Sequence, residues 1–157
     1  HVANQQTTSI HVEYNGKAGN TVKFPVSGAV PTLFTADGTG VGPAAALNQD
    51  GSVNSAANPA APGSVVVFYG TGGGLTTPAG VDGQVAGTML LYAVQTATAT
   101  VAGRDAQVIF AGAAPGFVEG VLQINVTLPA DCPPGAAPVA IAMGGGASPA
   151  SVSVWVR

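Results

Sequence analysis

Charged side chains are scarce. Lys, Arg, Asp and Glu make up 7% of the 157 residues, where an ordinary domain carries about 25%. With a net charge of -3 and only four scattered cations, the chain has no basic stripe to displace counterions from a nucleic-acid backbone. Cysteine occurs once, at Cys132, so an intrachain disulfide is excluded. The turn-like surroundings Ala130-Asp131-Cys132-Pro133-Pro134-Gly135 mark that thiol as free. Long apolar runs are also missing. Bursts such as Ser64-Val65-Val66-Val67-Phe68-Tyr69 fall far short of the roughly 18 residues that span a bilayer as a helix, so no membrane span is expected. Low charge combined with 46% hydrophobic residues is the reverse of a disordered composition. Position 1 is His rather than Met, which is read as a processed N-terminus, by removal of a secretory signal or by trimming.

What the chain has in quantity is Gly (23), Pro (12) and short β-branched runs. Helical periodicity is nearly absent. The strand runs are 8–14, 21–26, 64–69, 97–101, 106–111, 120–128, 138–143 and 151–156, each bounded by turn residues. Asn15-Gly16 is a hairpin turn signal, because both residues tolerate positive φ. Segments 37–63 and 70–87 read as connections with room for short strand pairs. This pattern predicts an all-β chain, an antiparallel β-sandwich with an additional N-terminal β-hairpin.

The two ends of the chain echo each other. Ile10, Val12 and Tyr14 fall on Val139, Ile141 and Met143, and Val22, Phe24 and Val26 fall on Val152, Val154 and Val156. Each segment is a hairpin with apolar residues at alternate positions, hence with one apolar face. The C-terminal hairpin has upstream strands to pack on. The N-terminal one has none ahead of it, and a lone two-stranded hairpin is marginal in water. Its face is expected to lie against the main domain, against a preceding domain, or on the sheet edge of a neighbouring molecule.

Residues that could carry chemistry are few. The histidines are His1 and His11, and no Gly-x-Ser-x-Gly elbow exists. Asp37, Asp50, Asp82, Asp105, Glu119 and Asp131 mostly sit beside Gly or in polar turns, where Asp favours the turn itself. Gly70-Thr71-Gly72-Gly73-Gly74 follows a strand but lacks the Lys and helix start of a phosphate loop. Asn48-Gln49-Asp50-Gly51-Ser52-Val53-Asn54-Ser55 resembles the middle of a calcium loop, making Asn48, Asp50 and Asn54 a weak calcium candidate. Alanines at 46 and 57 stand where the first and the bidentate ligands belong. No cofactor is expected. Trp155, Tyr14, Tyr69 and Tyr92 raise the alternative of a glycan-stacking surface. Lys17, Lys23 and Glu13 would need a dry core to form an isopeptide crosslink and are read as solvated.

Pro62-Gly63-Ser64-Val65-Val66-Val67 with Gly70–Gly74 resembles the opening strand of an IPT/TIG-type immunoglobulin-like domain. Thr100–Val108 resembles that family's central hairpin, followed by Pro115-Gly116, Gln123–Val126 and a closing hairpin at 138–156. Upstream, Pro31–Thr35, Ala46–Ser55 and Asn58-Pro59-Ala60 resemble the Solibacter-type uncharacterised C-terminal domain family, found at the ends of large exported bacterial proteins. The resemblance implies an exported immunoglobulin-like sandwich with no known catalytic residues. It divides the chain into an N-terminal hairpin (1–26), a segment packed on the main domain (27–59) and an immunoglobulin-like domain (60–157). The expected role is a non-enzymatic structural or adhesive protein, extracellular or at the cell surface, that self-associates or engages neighbouring domains. A filament built by strand complementation through Ile10, Val12, Tyr14, Val22, Phe24 and Val26 is one form of it. A carbohydrate-binding accessory module is the alternative.

Overall fold

The computed structural model describes Val2 and residues 5–157. His1, the expected processed end, lies outside the described residues. Sixteen strands and no helix are found among the described residues. The first four are β1 (Thr7–Ile10), β2 (Glu13–Tyr14), β3 (Lys17–Ala18) and β4 (Val22–Pro25). Next come β5 (Thr32–Leu33), β6 (Gly42–Pro43), β7 (Ala46–Leu47), β8 (Val65–Thr71), β9 (Thr76–Thr77) and β10 (Tyr92–Ala93). The last six are β11 (Ala97–Val101), β12 (Arg104–Ala113), β13 (Leu122–Thr127), β14 (Gly135–Met143), β15 (Gly146–Ala147) and β16 (Val152–Val156).

The all-β class stands, and its main body is one large curled sheet. The strand order is β5-β8-β13-β12-β11-β14-β16-β6, with β7, β9, β10 and β15 attached to it. The ten-residue strand β12 joins the two halves, pairing with β13 along one stretch and β11 along another. A register shift between Val108 and Phe110 lets β12 change direction. It also shifts the inward alternation by one residue: Ala106 and Val108 pack on the core before the shift, and Ala111 after it. The curl brings the inward side chains of both halves into one cluster. Val66, Phe68, Ile124 and Val126 come from one half, and Val101, Val139, Ile141 and Val154 from the other. Each such side chain contributes about 1.5–3 kcal/mol on burial.

The Gly-rich run after β8 has a packing role. A Cβ at Gly70, Gly72 or Gly74 would collide with the carbonyl oxygens of Thr32, Val30 and Gly28 respectively. Alternate glycines thus let the chain at 28–33 lie directly along β8, where Val30 N–H donates to the Gly72 carbonyl and β5 pairs with β8. The segment 27–59 contributes β5, β6 and β7 to the large sheet, with β6 running parallel to β16.

The N-terminal hairpin stands apart. Strands β1 and β4 form a two-stranded sheet, β2 and β3 another, and neither pairs with the large sheet. The expected strand 8–14 is thereby split in two, because the residues at 11–12 and 19–21 cannot be matched one to one across the hairpin.

Candidate assembly interface

The turn of the N-terminal hairpin follows from two residues. Asn15 and Gly16 have φ of 49° and 72°, the left-handed pair that closes a two-residue hairpin with the twist of its strands. Below it, Ile10 lies opposite Val22 and Thr8 opposite Phe24. Directly opposed residues share a face, so Ile10, Val22 and Phe24 are on one side of the ribbon. Val12 and Tyr14 are 72% and 77% exposed, and Ile10, Val22 and Phe24 are also exposed. Val26 is half-buried at the base, where it lines a groove of about 400 Å³ with Gly74, Leu75, Val94 and Gln95. The base of the hairpin thus borders a groove on the body while its upper apolar residues face solvent. Glu13, Lys17 and Lys23 are exposed, which removes the dry core an isopeptide crosslink requires.

Asn48, Asp50 and Asn54 have a hydrogen-bonding role. The Asn54 amide donates to Asn48 Oδ1 and to the Trp155 carbonyl (2.9 Å each), and Asn54 Oδ1 accepts the Trp155 N–H at 2.8 Å. Asn48 Nδ2 donates to the Asn58 carbonyl at 3.0 Å. Asp50 Oδ1 accepts the hydroxyl and then the backbone N–H of Ser52, which together hold the carboxyl below its ordinary pKa. The network ties the loop at 48–58 to β16, satisfying backbone groups on that edge. Asparagines in the loop were visible in the sequence; their partner 101 residues away was not.

The aromatic residues pair locally. Tyr69 packs at a tilt against Phe117 and Tyr92 packs edge-on against Phe110, each pair with ring centroids 5.5 Å apart. Trp155 is half-buried on β16, opposite Ala136. Sequence reasoning missed a second apolar area formed by Val85, Phe117 and Val118, all exposed. A bridge between Val85 and Val118 creates it from two connecting segments, so no local pattern signals it.

Cys132 is buried, and desolvation pushes its thiol pKa up, the opposite of an activated nucleophile. His11 is exposed on the hairpin. Among the described residues, no three His, Cys, Asp or Glu side chains gather as a metal-holding group. Arg104 pairs with Asp131 at 2.9 Å at the surface. Asp82 and Glu119 line one groove with Leu75 and Thr76, where Glu119 accepts the Val81 N–H. Comparison with family models, curated proteins and solved structures returned no match.

Proposed function

We propose that this chain is a non-catalytic structural or adhesive module of an exported bacterial assembly, working at the cell surface or outside the cell. Its body is an immunoglobulin-like sandwich of the IPT/TIG type, within the Solibacter-type C-terminal domain family, and its N-terminal hairpin is the element that meets a neighbour. The observation that carries this reading is the set of exposed apolar residues Ile10, Val12, Tyr14, Val22 and Phe24 on a hairpin outside the large sheet. A two-stranded ribbon of this kind gains stability when a partner covers those residues and pairs its free edge. The body assignment draws support from the single core shared by the two halves of the curled sheet. Contacts made head to tail through the hairpin build an open filament.

The test is sedimentation velocity and negative-stain imaging of the whole chain beside a Val12→Lys, Tyr14→Lys variant. Wild-type chain associates and the variant remains monomeric. Identical monomers in both samples would remove the hairpin as a contact element. The carbohydrate-binding reading is favoured by the exposed Tyr92 and Phe117 rings. It predicts retention on polysaccharide that Tyr92→Ala and Phe117→Ala abolish.

A further inference from the structure

The two hairpins agree beyond their apolar alternation. In the first, the facing pairs are Thr7 with Pro25, Thr8 with Phe24, Ser9 with Lys23 and Ile10 with Val22. In the second they are Ala136 with Trp155, Ala137 with Val154, Pro138 with Ser153 and Val139 with Val152. The first strands are offset by 129 positions (Ile10 to Val139) and the second strands by 130 (Val22 to Val152) throughout. Nearer the turn, Glu13 faces Ala18 and Tyr14 faces Lys17, as Ala142 faces Ala147 and Met143 faces Gly146. Both turns are left-handed pairs, Asn15-Gly16 and Gly144-Gly145.

The irregularity recurs too. Gly19 N–H donates to the Val12 carbonyl at 2.7 Å, and at the equivalent place Ser148 N–H donates to the Ile141 carbonyl at 2.7 Å. Both ladders break between the same two pairs and resume in the same register. The single extra residue of the second hairpin lies inside that break. Any Val-rich hairpin has an apolar face, but its turn and its bulge are free to fall elsewhere.

We infer that the N-terminal hairpin is the closing hairpin of a second β body of this chain's own kind. In this chain the closing hairpin buries Val139, Ile141, Met143, Val152, Val154 and Val156 in the core. Strand β14 pairs along its outer edge with β11, from Ala97 with Met143 to Val101 with Val139. The equivalent edge is Ile10–Tyr14. Its partner is therefore an antiparallel strand like Ala97–Val101, five residues long, with a core behind it. In an intact second copy β14 and β16 fill that place, so contact between whole copies uses another edge. The occupant is a body whose closing position is open. The order body-then-hairpin, seen here as 27–134 followed by 135–156, puts that body ahead of residue 7 in the same polypeptide. This inference rests on the hairpin being the contact element and names its partner.

An extended chain tests it, with residues 27–134 repeated directly ahead of residue 6 of the otherwise complete protein. Amide hydrogen exchange is read at 10–14 and 22–26 in the extended and the original chains. Protection at these amides rises at least about 100-fold in the extended chain, towards the level of 139–143. A second extended chain carries Tyr14→Met and Phe24→Val, which copy the side-chain sizes of the second hairpin, in case the added core is too tight. Protection in either extended chain supports the inference. Hairpin amides that exchange equally fast in both extended chains and in the original protein overturn it. Self-association of the original chain is read separately, so the assembly reading can fail while the extended chain still protects its hairpin.

Discussion

Val12 and Ile141 hold the same position in two matching hairpins, yet truncating them has opposite consequences. Ile141 is fully buried, at 0% exposure, among residues from both halves of the sheet. Ile141→Ala removes buried methyl and methylene groups and leaves a cavity, at a cost of about 2–5 kcal/mol. Val12 is mostly exposed, so Val12→Ala changes stability by no more than about 0.5 kcal/mol. Urea unfolding followed by the fluorescence of Trp155, the one tryptophan, reports both variants. Trp155 sits on β16, paired with β14, and senses the loss of the closing hairpin directly. With a denaturant slope of about 1–3 kcal/mol per molar, the Ile141→Ala midpoint falls by about 0.7–5 M and the Val12→Ala midpoint hardly moves. Dilute protein is used, so that association adds nothing. Equal drops in the two midpoints would refute the reasoning, because they would show Val12 already packed in the isolated chain.

Other outcomes follow from single sites. Asn54→Ala removes three hydrogen bonds and leaves the Trp155 N–H without its side-chain acceptor. It costs about 2–4 kcal/mol, seen as a fall in the thermal midpoint of about 5–15 °C. Cys132, buried with a raised pKa, resists iodoacetamide at pH 8 in the folded chain and reacts in urea; fast native labelling would contradict its burial. Hydrogen bonds from the Thr39 backbone, the Ser52 side chain and the Arg104 side chain lower the pKa values of Asp37, Asp50 and Asp131 respectively. Because the folded-state values are depressed, their contribution is fully present above about pH 4 and is lost as pH falls through the lowered values. Thermal midpoints across pH 2–7 check this, and a profile flat down to pH 2 would contradict it.

The long strands could be read from the chain because alternation and turn residues are local. The run expected at 97–101 is β11, and that at 64–69 is β8 extended into the glycines. The two-residue strands could not. Gly42–Pro43 has no strand preference and is a strand only because β16 lies beside it in parallel. The bend in β12 was equally hidden, since Ile109 looks like any other β-branched strand residue until its neighbours' partners are known. The hairpin's alternation was legible, and so was its likeness to the C-terminal hairpin. That the likeness extends to turn, register and bulge required backbone pairing. The oxygen-rich run at 48–55 drew attention as a calcium motif, while its bonds to Trp155 depend on contact between the ends of the domain.

The central claim is that the N-terminal hairpin is a contact element left open in the isolated chain. Amide exchange of the whole chain, measured over a hundredfold range of concentration, tests it most directly. In dilute solution, residues 10–14 and 22–26 exchange quickly while 139–143 and 152–156 are protected. As concentration rises, the hairpin gains protection and the closing hairpin is unchanged. A hairpin as protected as 139–143 at every dilution, or one that gains nothing at the highest concentration, would contradict the account.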